Sequence, residues 1–145
     1  MKKALAFIAA LLCATSAQAQ APDNLYMGGM TYHVADGYRD VNPGIGLGWS
    51  DVEALGVRWH ELGLLAYKNS EYKNSVAVVA RYKLGEIAGA DASVTVGAVT
   101  GYSRMTVAPL ALVSVWWRYF GVEMAPPVDK DTAFVSLQFR IPLGG

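Results

Sequence analysis

Residues 132–141 read TAFVSLQFRI, and they alternate without a break. Ala133, Val135, Leu137, Phe139 and Ile141 fall on one face of an extended chain, and Thr132, Phe134, Ser136, Gln138 and Arg140 on the other. Successive side chains of a strand point to opposite faces, so a period of two with one wholly apolar face marks a strand between two unlike environments.

The same period organises the chain upstream, with Gly, Pro, Asn and Asp clusters between segments of strand length. Strands are expected near 24–33, 44–50, 59–67, 76–83, 92–101, 107–116, 118–126 and 132–141. Five of them sort their residues in the same way. Ile45, Leu47 and Trp49 oppose Gly44, Gly46, Gly48 and Ser50, and Val76, Val78, Ala80 and Tyr82 oppose Ala77, Val79, Arg81 and Lys83. Val94, Val96 and Ala98 oppose Ser93, Thr95 and Gly97, and Phe120, Val122 and Met124 oppose Tyr119, Gly121 and Glu123.

Alternation does not say which face is inside, but the chemistry of the faces does. A soluble barrel turns its apolar face inward, and a membrane barrel turns it toward lipid. Glycines and serines suit the crowded lumen of a narrow barrel, as do a few polar residues including Arg81, Glu123, Gln138 and Arg140, of which the charged ones would pair there because an unpaired buried charge is very costly. The expected fold is therefore all-β, an eight-stranded antiparallel up-and-down transmembrane β-barrel. A two-sheet sandwich with facing apolar sides is the alternative. Trp49, Trp59, Trp116, Trp117, Tyr26, Tyr32, Tyr67, Tyr72, Tyr82 and Tyr119 fall mostly near strand ends, as interfacial girdles do, although strand propensity also favours these residues.

Of the 145 residues, 53% are hydrophobic and 11% aromatic, which argues for one folded domain. Residues 1–19, MKKALAFIAALLCATSAQA, combine two lysines, an apolar run and a small-x-small ending, and read as a cleaved signal peptide, leaving 20–145 as the barrel. Cys13 lies in that leader, so the mature chain is expected to have neither disulfides nor thiol chemistry. Removing Lys2 and Lys3 leaves ten basic against twelve acidic residues, which excludes a strongly basic nucleic-acid footprint. No later apolar run reaches the roughly 20 residues of a spanning helix.

In an up-and-down barrel the ends of the first and third strands open at one mouth, which brings His33 and Ser70 together there. The expected loops at that mouth are 34–43, 68–75, 102–106 and 127–131. Ser70 belongs to AYKNSEYKNS, residues 66–75, in which Tyr-Lys-Asn-Ser occurs twice. A serine that attacks a carbonyl needs a base, and a histidine needs a partner to set its tautomer; His33, Asn69 and Ser70 supply those types. A solvated turn has the same composition. His60, at the opposite rim, reads as an interfacial residue beside Trp59, and Ser75 as a loop residue.

At these residues the chain resembles the PagP family of outer-membrane lipid A palmitoyltransferases. Leu25-Tyr26 with Thr31-Tyr32-His33, then Trp59-His60, Leu62, Ala66-Tyr67-Lys68-Asn69-Ser70 and Lys73, are similar to that family's motifs at the same spacing, and Leu112, Ser114, Val115 and Met124 fall in register with it. The resemblance implies an outer-membrane barrel whose external rim moves an acyl chain from phospholipid to lipid A, with His33 and Ser70 at matching catalytic positions. Asn69 stands where the family has Asp, and Arg81 where it has a lumen glycine that sets acyl-chain length. A long arginine there predicts a lumen that is obstructed or made polar. The family's amphipathic helix before the first strand has no room here.

Three functions are consistent with these readings. The first is an acyltransferase with His33 as base or proton shuttle, Ser70 as nucleophile or polariser and Asn69 as orienter. The others are a non-catalytic envelope barrel and a soluble exported β-domain binding an apolar ligand. No cofactor or metal is called for; the expected partners are phospholipid and lipid A in the outer membrane, with the chain as a monomer.

Overall fold

A computed structural model describes residues 21–126 and 133–144. The expected leader, the loop at 127–131 and Thr132 lie outside the described residues. Eight strands form one closed antiparallel barrel in sequence order, with the first strand paired to the last. They are β1 (Asn24–His33), β2 (Gly44–Ala54), β3 (Val57–Lys68), β4 (Asn74–Ile87), β5 (Ala90–Thr100), β6 (Val107–Trp116), β7 (Phe120–Ala125) and β8 (Phe134–Pro142). Closure removes the unpaired edges that a sandwich would leave, and the sandwich alternative is set aside.

The two faces divide as their chemistry requires. Met27, Ile45, Val76, Val96, Met124 and Phe139 are exposed on the outer wall, while Glu61, Arg81, Ser93, Thr95, Ser114 and Glu123 are buried in the lumen. Where the lumen is tightest, small residues are needed. Gly121 sits against the Trp116 indole, and a Cβ there would collide with the ring.

Two regions depart from the expected pattern. Val78 and Ala80 belong to the outward register yet are buried, because they join Val52, Ala54 and Leu62 in one cluster, with Trp49, Trp59 and Leu64 packed on it. The β2–β3 hairpin reaches further than expected, through Asp51 at φ 53° to a turn at Leu55-Gly56. The Trp59 indole N–H donates to the Ala54 carbonyl at 3.1 Å and fastens that hairpin. β4 likewise runs on to Ile87, so the β4–β5 hairpin is longer than its apolar alternation indicates.

The wall is weakest at two seams. β1 pairs with β2 only from Asn24 to Met27, because a bulge at Gly28-Gly29 breaks the register. The chain after β1 folds back there: Thr31 N–H donates to Asp40 O at 2.6 Å and Asn42 N–H to Gly29 O at 3.0 Å. Side chains at Gly28 or Gly29 would strike Asn42 and Leu137 backbone, so glycine is required for this close approach. β6 pairs with β7 only from Val113 to Trp116, and residues 107–112 have no β7 partner among the described residues. Pro109, which has no N–H to offer a neighbour, lies in that stretch.

Candidate functional site: a chamber above a charged floor

The lower half of the lumen is filled by one polar network. Arg81, on β4, donates to Tyr26 Oη at 2.8 Å, to Glu61 Oε2, and to Glu123 Oε1 at 3.0 Å. Arg140 donates to Glu61 Oε2 at 3.1 Å, and Gln138 Nε2 and Trp116 Nε1 donate to the Glu123 carboxylate at 2.9 and 3.3 Å. The Arg81 guanidinium also lies over the Trp116 ring, 4.3 Å from its centroid. Two cations face two carboxylates, so the network is formally neutral, the condition under which buried charges are tolerated. The charged inward residues pair as their sequence positions led us to expect, and Arg81 blocks the lumen at its own level.

Above Arg81 the lumen opens into a cavity of about 490 Å³. Its wall is apolar, with Leu65, Val79, Val99, Leu110, Leu112 and Phe134 among the lining residues. Met27 and Ile45, beside the β1–β2 seam, also line it, as do Pro109 and Ala111 beside the β6–β7 seam. The polar residues that line its mouth include His33, Tyr38, Asn42 and Ser70.

The structure brings His33 and Ser70 to this one cavity and keeps Asn69 out of its lining. His33 ends β1 with its ring stacked on Tyr38, centroids 4.6 Å apart, and tilted against Phe134 at 5.7 Å. Both imidazole nitrogens are shielded from solvent and have no hydrogen-bond partner among the described residues. Ser70 is buried in the turn after β3, and its carbonyl accepts the Arg39 N–H at 2.9 Å, which ties the β1–β2 loop to the β3–β4 turn.

Asn69 is fully buried and completely engaged. Its amide nitrogen donates to Ser75 Oγ at 3.0 Å and to Gly101 O at 2.9 Å, and its oxygen accepts the Glu71 and Lys73 N–H groups, each at 2.9 Å. An amide has two donors and two lone pairs, and all are used, so nothing remains to orient an imidazole. A carboxylate could not donate to the Gly101 carbonyl, which gives a structural reason for Asn at this position. Asn69 is thus placed as the staple of its loop. Ser75, expected as a loop residue, begins β4 and is buried, donating to Thr100 O at 2.5 Å.

The outer loops are laced together around the mouth. Ser103 donates to the Glu71 carboxylate from its N–H at 2.8 Å and from its hydroxyl at 2.5 Å, and Lys73 reaches the same pair. The Ser103 hydroxyl, with its N–H and Lys73 adding to it, holds the Glu71 carboxyl below the ordinary value of 4.5. Arg39 lies over the Tyr72 ring at 5.5 Å. His60, at the other rim, is 3.5 Å from Asp91, which Lys83 also meets at 2.6 Å.

Sequence reasoning missed Asn42 and Tyr38. Both stand in a loop with no periodicity, and only the Gly28-Gly29 bulge, which draws that loop onto β1, brings them to the cavity. The paired glycines were the available signal. Among the described residues no group of three His, Cys, Asp or Glu side chains is arranged to hold a metal ion. No protein-family model matches the chain, and comparison with curated proteins finds no match.

Proposed function

We propose that this protein is an outer-membrane barrel that takes a lipid acyl chain into the chamber above Arg81 and transfers it from a phospholipid to lipid A, the activity implied by the PagP-like motifs of its strands. The observation that carries the reading is an apolar, blind-ended chamber with a histidine and a serine at its mouth. The apolar outer wall supports a lipid environment, and the two seams give an acyl chain a lateral way in from it.

The chamber limits the chain. From Ser75 to Arg81, β4 descends on the order of 15 Å at the usual strand rise and barrel tilt. Tetrahedral C–C geometry advances a chain roughly 1.25 Å per carbon, so about twelve carbons fit above the floor. Its volume lies in the usual range of small-ligand sites, roughly 300–1,000 Å³.

In this reading His33 removes the proton from the incoming lipid A hydroxyl as that oxygen attacks the phospholipid ester carbonyl. The Ser70 hydroxyl donates to the carbonyl oxygen as negative charge develops on it. The ester C–O bond to glycerol breaks, the new ester bond forms, and His33 returns the proton to the glycerol oxygen. Asn69 takes no part beyond holding the loop.

A second reading, a lipid-binding barrel without catalysis, is favoured by the full engagement of Asn69 and by an imidazole with no orienting partner. Reconstituted membranes of defined phospholipid and lipid A separate the two. The enzyme reading expects acylated lipid A and lysophospholipid in equal amounts, both lost in His33→Ala and Ser70→Ala. Folded wild-type protein that binds the chain and forms neither product overturns catalysis.

A further inference from the structure

A chain of hydrogen bonds of fixed direction runs from the first external loop into the barrel wall. Ser136 Oγ donates to the Met30 carbonyl at 3.3 Å, and a carbonyl only accepts. With its one proton committed there, Ser136 Oγ must accept from Thr31, whose hydroxyl lies 3.2 Å away. Thr31 Oγ1, having given its proton to Ser136, must in turn accept from Asn42 Nδ2 at 2.7 Å. Thr31 and Ser136 are both more than nine-tenths buried, so water does not compete along this relay.

The relay fixes which way the Asn42 amide is turned. Its nitrogen faces Thr31, and its oxygen is left as a bare acceptor, buried and without a partner among the described residues. Asn42 lines the chamber, as does His33, whose two ring nitrogens are also buried and have no partner among the described residues. Buried polar atoms in native proteins are nearly always satisfied, and each exception calls for an explanation. Among the described residues, two such atoms, Glu61 Oε1 and Arg81 Nε, belong to the charged floor, and three lie at the mouth of the chamber: the two His33 nitrogens, able to accept or donate, and Asn42 Oδ1, which only accepts.

We propose that Asn42 is a positioning residue whose Oδ1 accepts a hydrogen bond from a hydroxyl group of the lipid seated at the mouth of the chamber. The inference rests on the chamber being a lipid site and adds to it a requirement for a donor on the ligand. A ligand with only ester and ether oxygens leaves Asn42 Oδ1 unsatisfied and out of reach of water, and is discriminated against for that reason. Neither the apolar wall nor the charged floor supplies such a preference.

The test uses the full chain in phospholipid nanodiscs exposed to an equimolar mixture of 1-dodecanoyl glycerol and propyl dodecanoate, which carry the same acyl chain with and without hydroxyl groups. Retained ligand is quantified by mass spectrometry and corrected for partition into empty nanodiscs. Wild-type protein is expected to retain the glycerol ester about tenfold over the propyl ester. In Asn42→Leu the ratio falls to about one while total retention persists. Thr31→Val, which removes the hydroxyl that orients the amide, lowers the ratio and provides the answer should Asn42→Leu fail to fold. Equal retention by the wild type, or a preference that survives in both variants, overturns the role of Asn42. Retention of neither ester above empty nanodiscs removes the lipid chamber itself and this inference with it.

Discussion

The two halves of the lumen are built from the same strands and differ in what occupies them. Around Arg81 two cations and two carboxylates are joined through Tyr26, Trp116 and Gln138, and only Glu61 Oε1 and Arg81 Nε of that network have no partner among the described residues. Above it the wall is apolar and the cavity open, and the mouth holds buried nitrogen and oxygen atoms with no partner among the described residues. Paired charges at one end and an open apolar chamber at the other distinguish the half that braces the barrel from the half with room for a ligand.

The sharpest way to break this contrast is to unbalance the floor. Arg81→Leu leaves Glu123 without its cation and Glu61 with only Arg140, and removing one partner of a buried pair costs about 3–5 kcal/mol. The expected result is a large fall in the urea midpoint, followed by tryptophan fluorescence. Arg81→Leu combined with Glu123→Leu should recover much of that loss, and no recovery would show that the network is not the source of the effect.

Substitutions at the mouth should instead leave folding intact and change chemistry. Ser70→Ala is expected to lower acyl transfer by about 10²–10³, the usual effect of removing one donor to a developing oxyanion, with an unchanged denaturation midpoint. Ser75→Ala should retain transfer and lose about 1 kcal/mol of stability with its bond to Thr100 O. The reverse pattern would exchange the two serines.

Asn69→Asp restores the residue the family resemblance leads one to expect, yet removes the donors to Gly101 O and Ser75 Oγ. It should cost about 1–3 kcal/mol and bring no gain in transfer. A gain would mean that position 69 orients His33 after all.

The smallest effect is a pH dependence of the loops. Because hydrogen bonds hold the Glu71 carboxyl below its ordinary 4.5, its contribution is fully present above that value and is lost as pH falls through the lowered one. Hydrogen exchange of the Ser103 amide should therefore be protected near neutrality and lose protection below pH 4.5, and Glu71→Gln should remove that step.

The barrel was legible in the sequence because each strand carries its own inside and outside. TAFVSLQFRI sorts lumen from wall with no knowledge of its neighbours, and the lone charges at 81, 123 and 140 could only be inward and paired. The ends of β2 and β4 were not legible, because Asp51 at φ 53° and the packing of Trp49 and Trp59 over Val78 and Ala80 depend on contacts between hairpins. At the site, His33 and Ser70 follow from strand direction alone, whereas Asn69 and Asn42 do not. An asparagine in a loop reads the same whether its amide is fully engaged or half empty, and only the three-dimensional bonding of each tells them apart.

The most direct test is a mass spectrum of lipid A from Gram-negative cells with and without this protein. The account predicts one added acyl group of about twelve carbons, absent in cells carrying His33→Ala or Ser70→Ala. Lipid A unchanged in mass, in cells whose outer membrane holds the folded barrel, would contradict it.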